Sequence, residues 1–407
     1  MSGELVRFIH ASDFHLEQPV HGLNSIPDSL RDTVLEAPYL AASRVFDGAI
    51  LEHVDFVAIS GDLYDPASSS PRAIAFLLEQ FERLEAQSIS VYWSIGAAEG
   101  ANPWPAAVPL PSNVHLFLPG KVDELIHMRE NQAPITLCGV GWNERHRISP
   151  SEFRSESMNT CRIAIVYGSY DAHALQKQYV HYWALGGEHQ RRTLFSAPHT
   201  AHFAGSPQGR SPFEVGPHGC TLVSIDSDGK IRTQLVATDS LRFYQERLTL
   251  TEAMTRGDLQ RQLRDRSQAI GTEIGDRTAL VSWRVEGANR LASSLRQGGM
   301  ATEILTELRN EFGQRRNAVW AESLEVEAPS EMPAAWYEED SILGDFLRAV
   351  RDREQSSSDA LEISQFLSVD QFRGELGASL DVTHPETRQR VLREVALLGV
   401  DLLRGND

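Results

Sequence analysis

The chain has 407 residues, 41% of them hydrophobic and 23% charged, an ordinary balance for a folded protein of two or three domains. With 56 acidic against 38 basic residues the formal net charge is −18, which excludes long-range electrostatic attraction for nucleic acid. No apolar run is long enough to span a bilayer, and the opening MSGE is no signal peptide, so a cytoplasmic protein without membrane contact is expected.

In chain order, strand-like apolar runs fall at 6–12, 55–60, 89–95, 135–140, 162–167 and 182–185. Helical periodicity lies between them, as at 43–54 and 71–86, the second with Pro71 in a first turn. That alternation predicts an α/β domain over 1–240, built on a mostly parallel sheet with helices on both faces. From residue 201 the texture changes to short β runs, and SDGK between GCTLVSID and IRTQLVAT predicts a β-hairpin. A β-α-β-α-β pattern over 241–328 reads as a small α/β domain, followed by a proline-bearing linker at 329–340 and a helical tail over 341–407. In that tail Val391, Val395, Leu398 and Leu402 share one helical face, expected to pack on its own protein, with a partner helix as the alternative. Cys138, Cys161 and Cys220 form no CxxC pair and are expected as buried free thiols in a reducing compartment.

Three strand ends carry chemistry. In FIHASDFHL, Asp13 and His15 stand two apart, so in extended chain both reach one ion. DFVAISGDLYD is a buried strand that ends in Gly61-Asp62, at the carboxyl edge where open α/β sheets place their ligands. YWALGGEHQ runs through glycines into His189. His10, inside its strand, reads as a core histidine. The corner SIGAAEG, by contrast, ends a strand in two alanines and Glu99.

DFH, GDLYD and LGGEH resemble the DxH, GD and GHxH motifs of the calcineurin-like metallophosphoesterases, and within them the SbcD-type DNA-repair exonuclease family with its YhaO-like branch. The stretch AGSPQGRSPFEVGPHGC, residues 204–220, is similar to that family's PGS/NxQGR…ExGxxGC element. The resemblance implies a four-layer β-sandwich flanked by helices over 1–240, a capping domain over 241–328, and a partner-docking tail.

It also implies two divalent ions, usually manganese, bridged by a shared aspartate. The first-ion ligands match Asp13, His15, Asp62 and His189, all present. The second-ion ligands fall on Ala97, Gly168 and Gly187, and the histidine that relatives set against the phosphate falls on Ala98. One divalent ion, Mn²⁺, is therefore expected, with Glu99 and Asp65 as supporting residues. His21, His173, His181, His199 and His202 are the histidines that could replace the lost ligands.

The favoured reading is a weakly active or inactive metallophosphoesterase homologue that pairs with an SbcC-like coiled-coil ATPase through its tail. It would bind DNA weakly alone, and the resemblance leaves a homodimer, as family members form, open. The alternatives are an active Mn²⁺-dependent nuclease with a rearranged site, and an interaction or sensor protein that has left DNA.

Overall fold

A computed structural model of the chain describes residues 4–23, 26–100, 102–129, 133–144, 149–153, 160–287, 290–296, 298–315, 317–327, 332–355 and 385–404. One compact unit comprises Met1–Tyr244 with Ile274–Leu280 and Arg316–Ala318. Its first sheet contains β1 (Glu4–Ala11), β2 (Phe56–Ser60), β3 (Ser90–Ser94), β4 (Val114–Phe117), β11 (Gly219–Asp226) and β12 (Ile231–Ala237), in the order β12-β11-β1-β2-β3-β4. Strands β1 to β4 run parallel, and β11 and β12 close the other side antiparallel. The second sheet contains β5 (Asp123–His127), β6 (Ile135–Val140), β7 (Cys161–Tyr167), β8 (Tyr182–Gly186), β9 (Arg192–Phe195) and β10 (Thr200–Phe203), in the order β5-β6-β7-β8-β10-β9.

The two-residue period of each strand separates its two burial partners. On β1 and β2, Phe8, Phe56 and Ala58 face Ile163, Ile165, Tyr182 and Ala184 of the second sheet. The alternate residues Ile9, Ala11, Val57 and Ile59 pack against the helices α1 (Asp28–Leu51) and α2 (Pro71–Glu85). Behind the second sheet, Ala164, Val166, Trp183 and Leu185 are covered by Phe153 of a short 3₁₀ turn and by Leu175 of α3 (Ala172–Gln176). The architecture is thus two stacked sheets with helices outside. The single sheet with helices on both faces expected from alternation alone is corrected: a second sheet, as apolar as a helix, covers one face.

Helix α1 begins 15 residues before the expected 43, because Leu30, Val34, Ala37 and Pro38 extend its buried side and Pro38 is carried inside it. The hairpin turn is present, with Gly229 N–H donating to the Asp226 carbonyl. Cys138 and Cys220 are buried free thiols, whereas Cys161 is half-buried.

The second unit comprises Gln245–Glu273, Val281–Arg315 and Val319–Asp407. The strands β13 (Leu241–Thr249), β14 (Thr278–Glu286) and β15 (Val319–Glu327) form one sheet with β14 in the middle. Beside it lie α4 (Arg256–Glu273), α5 (Arg290–Arg296) and α6 (Gly299–Phe312). Inside the stretch expected as a linker stands α7 (Ala334–Glu338), whose Trp336 is buried with Leu343 and Leu347 of α8 (Ile342–Gln355) and with Ala396 and Val400 of α9 (Pro385–Arg404).

The face of α9 that packs is Leu392, Ala396, Leu397 and Val400. Val395, Leu398 and Leu402 are exposed, which corrects the expectation that their stripe packs on its own protein. The packing face lies on the other side of the helix from that stripe. Among the described residues no helix is long and apolar enough to cross a membrane.

Candidate metal centre

Each ligand of the expected first ion leaves the carboxyl end of a parallel strand: Asp13 and His15 after β1, Asp62 after β2, and His189 after β8. The two sheets meet there. Gly186 ends β8 so close to β2 that a Cβ would stand 1.7 Å from the Ser60 carbonyl oxygen, so no larger residue fits. Asp13, His15 and Asp62 all have left-handed backbones, with φ of 54°, 47° and 53°. Non-glycine residues rarely adopt that region, and it costs of order 1–3 kcal/mol each. Backbone hydrogen bonds lock the two loops in register: Asp13 N–H to the Gly61 carbonyl (3.0 Å) and His15 N–H to the Asp62 carbonyl (2.9 Å).

Side chains of Asp13, His15 and His189 converge, with their ligand atoms within 4.8 Å of one another. Asp62 joins them through Oδ2, which lies 3.6 Å from His15 Nε2. Both ring nitrogens of His15 are buried without a hydrogen-bond partner. A neutral imidazole always has one lone pair and one N–H to satisfy, so this ring is aimed at something the protein does not itself provide. Burial first, and then the charge of Arg210, hold His15 neutral, its pKa lowered to about 3. Burial together with the nearby Asp62 charge pushes the Asp13 carboxyl up. Two carboxylates and two imidazoles, one of them orphaned, fit a Mn²⁺ or Zn²⁺ ion better than a hard ion that wants oxygen alone.

Glu214 orients His189. Its Oε1 accepts from His189 Nδ1 at 3.0 Å, so the proton sits on Nδ1 and the Nε2 lone pair faces the site, where Arg210 Nη2 lies 3.3 Å away. Burial raises the Glu214 carboxyl, but its hydrogen bonds from His189 and from the Arg210 N–H outweigh that and hold it at about 2. Glu214 belongs to the AGSPQGRSPFEVGPHGC stretch, and the acidic residue of that element was the signal that could have found it.

Of the positions expected to lack second-ion ligands, Gly187 has Tyr167 against it. This last residue of β7 donates its hydroxyl to Asp62 Oδ2 at 2.7 Å. Its ring lies so close to Gly61 that a Cβ there would be 2.5 Å from Cδ2, and a Cβ on Gly187 would be 3.3 Å from Cε2 and Cζ. Asp62 Oδ1 accepts from Ala98 N–H at 2.7 Å, and Gly187 N–H donates to both Asp13 oxygens at 3.1 and 3.0 Å. Backbone amides and a phenol thus face the aspartates where the resemblance puts metal-ligating side chains.

Glu99 lies inside the protein, accepting from Asp62 N–H (3.1 Å), Leu63 N–H (2.5 Å) and Gly96 N–H (2.8 Å). It staples the loops after β2 and β3 together. Burial and the Asp62 charge push its carboxyl up to about 7. Asp65 accepts from Ala67 N–H and Ser68 Oγ and so steadies its own turn. None of His21, His173, His181, His199 and His202 joins the cluster among the described residues. His202 bonds Thr193 and Thr221, and His10 bonds Tyr182 and Ser60 as a satisfied core histidine.

Among solved structures, the chain is similar to a dimetal phosphatase from Danio rerio at 10% identity and a TM-score of 0.36, over 57% of this chain and 99% of that one. It is also similar to vacuolar protein sorting 29 from Cryptosporidium parvum at 15% identity and a TM-score of 0.25, over 59% and 100%. No protein-family model matches the chain. Its likeness to a metallophosphoesterase is one of sequence: 27% identity over 346 residues to the uncharacterized metallophosphoesterase YhaO of Bacillus subtilis (strain 168), covering 80% of this chain and 82% of that protein.

Proposed function

We propose that the chain is a metallophosphoesterase-type protein that holds one divalent cation, Mn²⁺, on Asp13, His15, Asp62 and His189, and binds phosphoesters there. The observation that carries this is His15, a buried ring with two unpartnered nitrogens among two aspartates and a second imidazole. A bound cation would supply Lewis-acid stabilisation of phosphoryl charge. The protein's own part is to orient His189 through Glu214, to fix Asp62 between Ala98 N–H and the Tyr167 hydroxyl, and to keep His15 neutral by burial.

Turnover is expected to be weak. Alanine at Ala98 offers no proton donor, and general acid–base assistance is worth roughly 10²–10⁴-fold. The resemblance to SbcD-type exonucleases supports DNA as the phosphodiester and an SbcC-like coiled-coil ATPase as partner. The exposed Val395, Leu398 and Leu402 of α9 support docking through the tail.

Calorimetric Mn²⁺ titration of the wild type and Asp62→Ala tests the site, beside hydrolysis of single- and double-stranded DNA and a small phosphodiester. One equivalent bound by the wild type and none by the variant is the expected result; no binding by the wild type overturns the assignment. Hydrolysis far above the variant would replace the weak subunit with a working nuclease.

A further inference from the structure

Arg210 is a feature of the centre that ion binding does not explain. Its side chain is nearly buried, at 7% exposure. Nη1 donates to Gln18 Oε1 at 2.6 Å, and Nη2 lies 3.3 Å from His189 Nε2. Nε is buried without a partner. Among the described residues no carboxylate stands within ion-pair distance of the guanidinium, although Asp13, Asp62 and Glu214 surround the same ring of side chains. A cation so placed works against an ion bound to His189, and an unpaired buried guanidinium is costly. Both costs are answered by an anion that sits between the two positive groups.

Resting on the metal-site reading above, we propose that Arg210 is a phosphoryl-binding residue, anchored by Gln18, and supplies the second positive charge that the site lacks as an ion. The guanidinium is suited to this: it is always charged, and its planar fork matches two oxygens of a phosphoryl group. The Tyr167 hydroxyl already holds one Asp62 oxygen, and positive charge reaches the centre through a separate element, the loop after β10 that carries Arg210. The ligand class is a phosphate monoester or diester.

Inorganic phosphate is the probe, titrated calorimetrically into Mn²⁺-loaded wild type, Arg210→Gln, Arg210→Lys and Gln18→Ala. Arg210→Gln is expected to weaken phosphate binding by roughly 10- to 100-fold, the range for a charge-assisted hydrogen bond, while Mn²⁺ still binds. Arg210→Lys should fall between, keeping the charge and losing the fork. Gln18→Ala, which leaves every ion ligand in place, should weaken phosphate in the same direction and so tests the idea even where Arg210→Gln fails to fold. Unchanged phosphate affinity in Gln18→Ala and Arg210→Gln overturns it. A wild type that takes no Mn²⁺ would sink the metal reading instead; Arg210 is then judged by phosphate titration of the metal-free protein.

Discussion

The Tyr167 hydroxyl donates to Asp62 Oδ2 at 2.7 Å, from a ring wedged against Gly61 and Gly187. A carboxylate that bridges two ions needs that oxygen open on the far side, and here a phenol covers it. Burial and then the Asp62 charge raise the Tyr167 pKa, so the phenol stays a donor. Tyr167→Phe keeps the wedge and removes the hydrogen bond. It should weaken Mn²⁺ about tenfold, as loss of a partner to a metal ligand does, and leave the stoichiometry at one. Metal analysis of dialysed protein checks both, and a second tight equivalent in the wild type would contradict the single-ion centre.

Glu214 is the corresponding partner of His189. Its replacement by alanine frees the ring to rotate and to change tautomer, so Mn²⁺ affinity should drop by about 10–100-fold. Glu214→Gln still accepts through its amide oxygen and should lose less. Calorimetry of the two variants separates orientation from charge: equal losses would mean that the negative charge, and not the held ring, is what counts.

The convergence of Asp13, His15, Asp62 and His189 was legible because these residues end buried strands, and strand ends are where apolar pattern and polar chemistry meet. Glu214 and Arg210 were not, since their roles depend on a loop that returns to His189 from 25 and 21 residues away. Tyr167 was hidden for a different reason. Its strand reads as an apolar run to the last residue, and nothing local says that the ring turns toward Asp62. The stacked sheets were illegible to periodicity, because β1 and β2 are buried on both faces whether a helix or a sheet covers them. Short β5 and β9 carry too little apolar pattern to read as strands, as the mostly exposed DELIH of β5 illustrates.

Gly186 holds the sheets together at the centre. A methyl group there would stand 1.7 Å from the Ser60 carbonyl oxygen, which is backbone and cannot swing aside. Gly186→Ala should therefore destabilise the fold by about 4 kcal/mol or more. Gly229→Ala, at φ 78° in a hairpin turn with open space around it, should cost only about 1–2 kcal/mol from its backbone conformation. Urea unfolding of the pair measures the difference, and similar midpoints would refute the close approach.

Burial of His202 and His10 should make the fold acid-sensitive. Both are buried, and their rings lie 6.1 Å apart between the sheets. Burial, with Arg191 adding to it, lowers His202 to about 3, and burial with the His202 charge lowers His10 well below its ordinary value. An unfolded histidine takes its proton near pH 6.5. Below that pH the unfolded chain binds protons that the folded one refuses, so stability is complete above about 6.5 and is lost as pH falls toward 3. The slope is at most about 1.4 kcal/mol per pH unit for each histidine. Glu99 works in the opposite direction, since a carboxyl raised to about 7 stabilises the fold less as pH climbs. Comparison of the wild type with His202→Gln isolates the histidine: urea midpoints from pH 7.5 to 5 should fall less steeply in the variant, and parallel lines would show that His202 is protonated in the folded protein too.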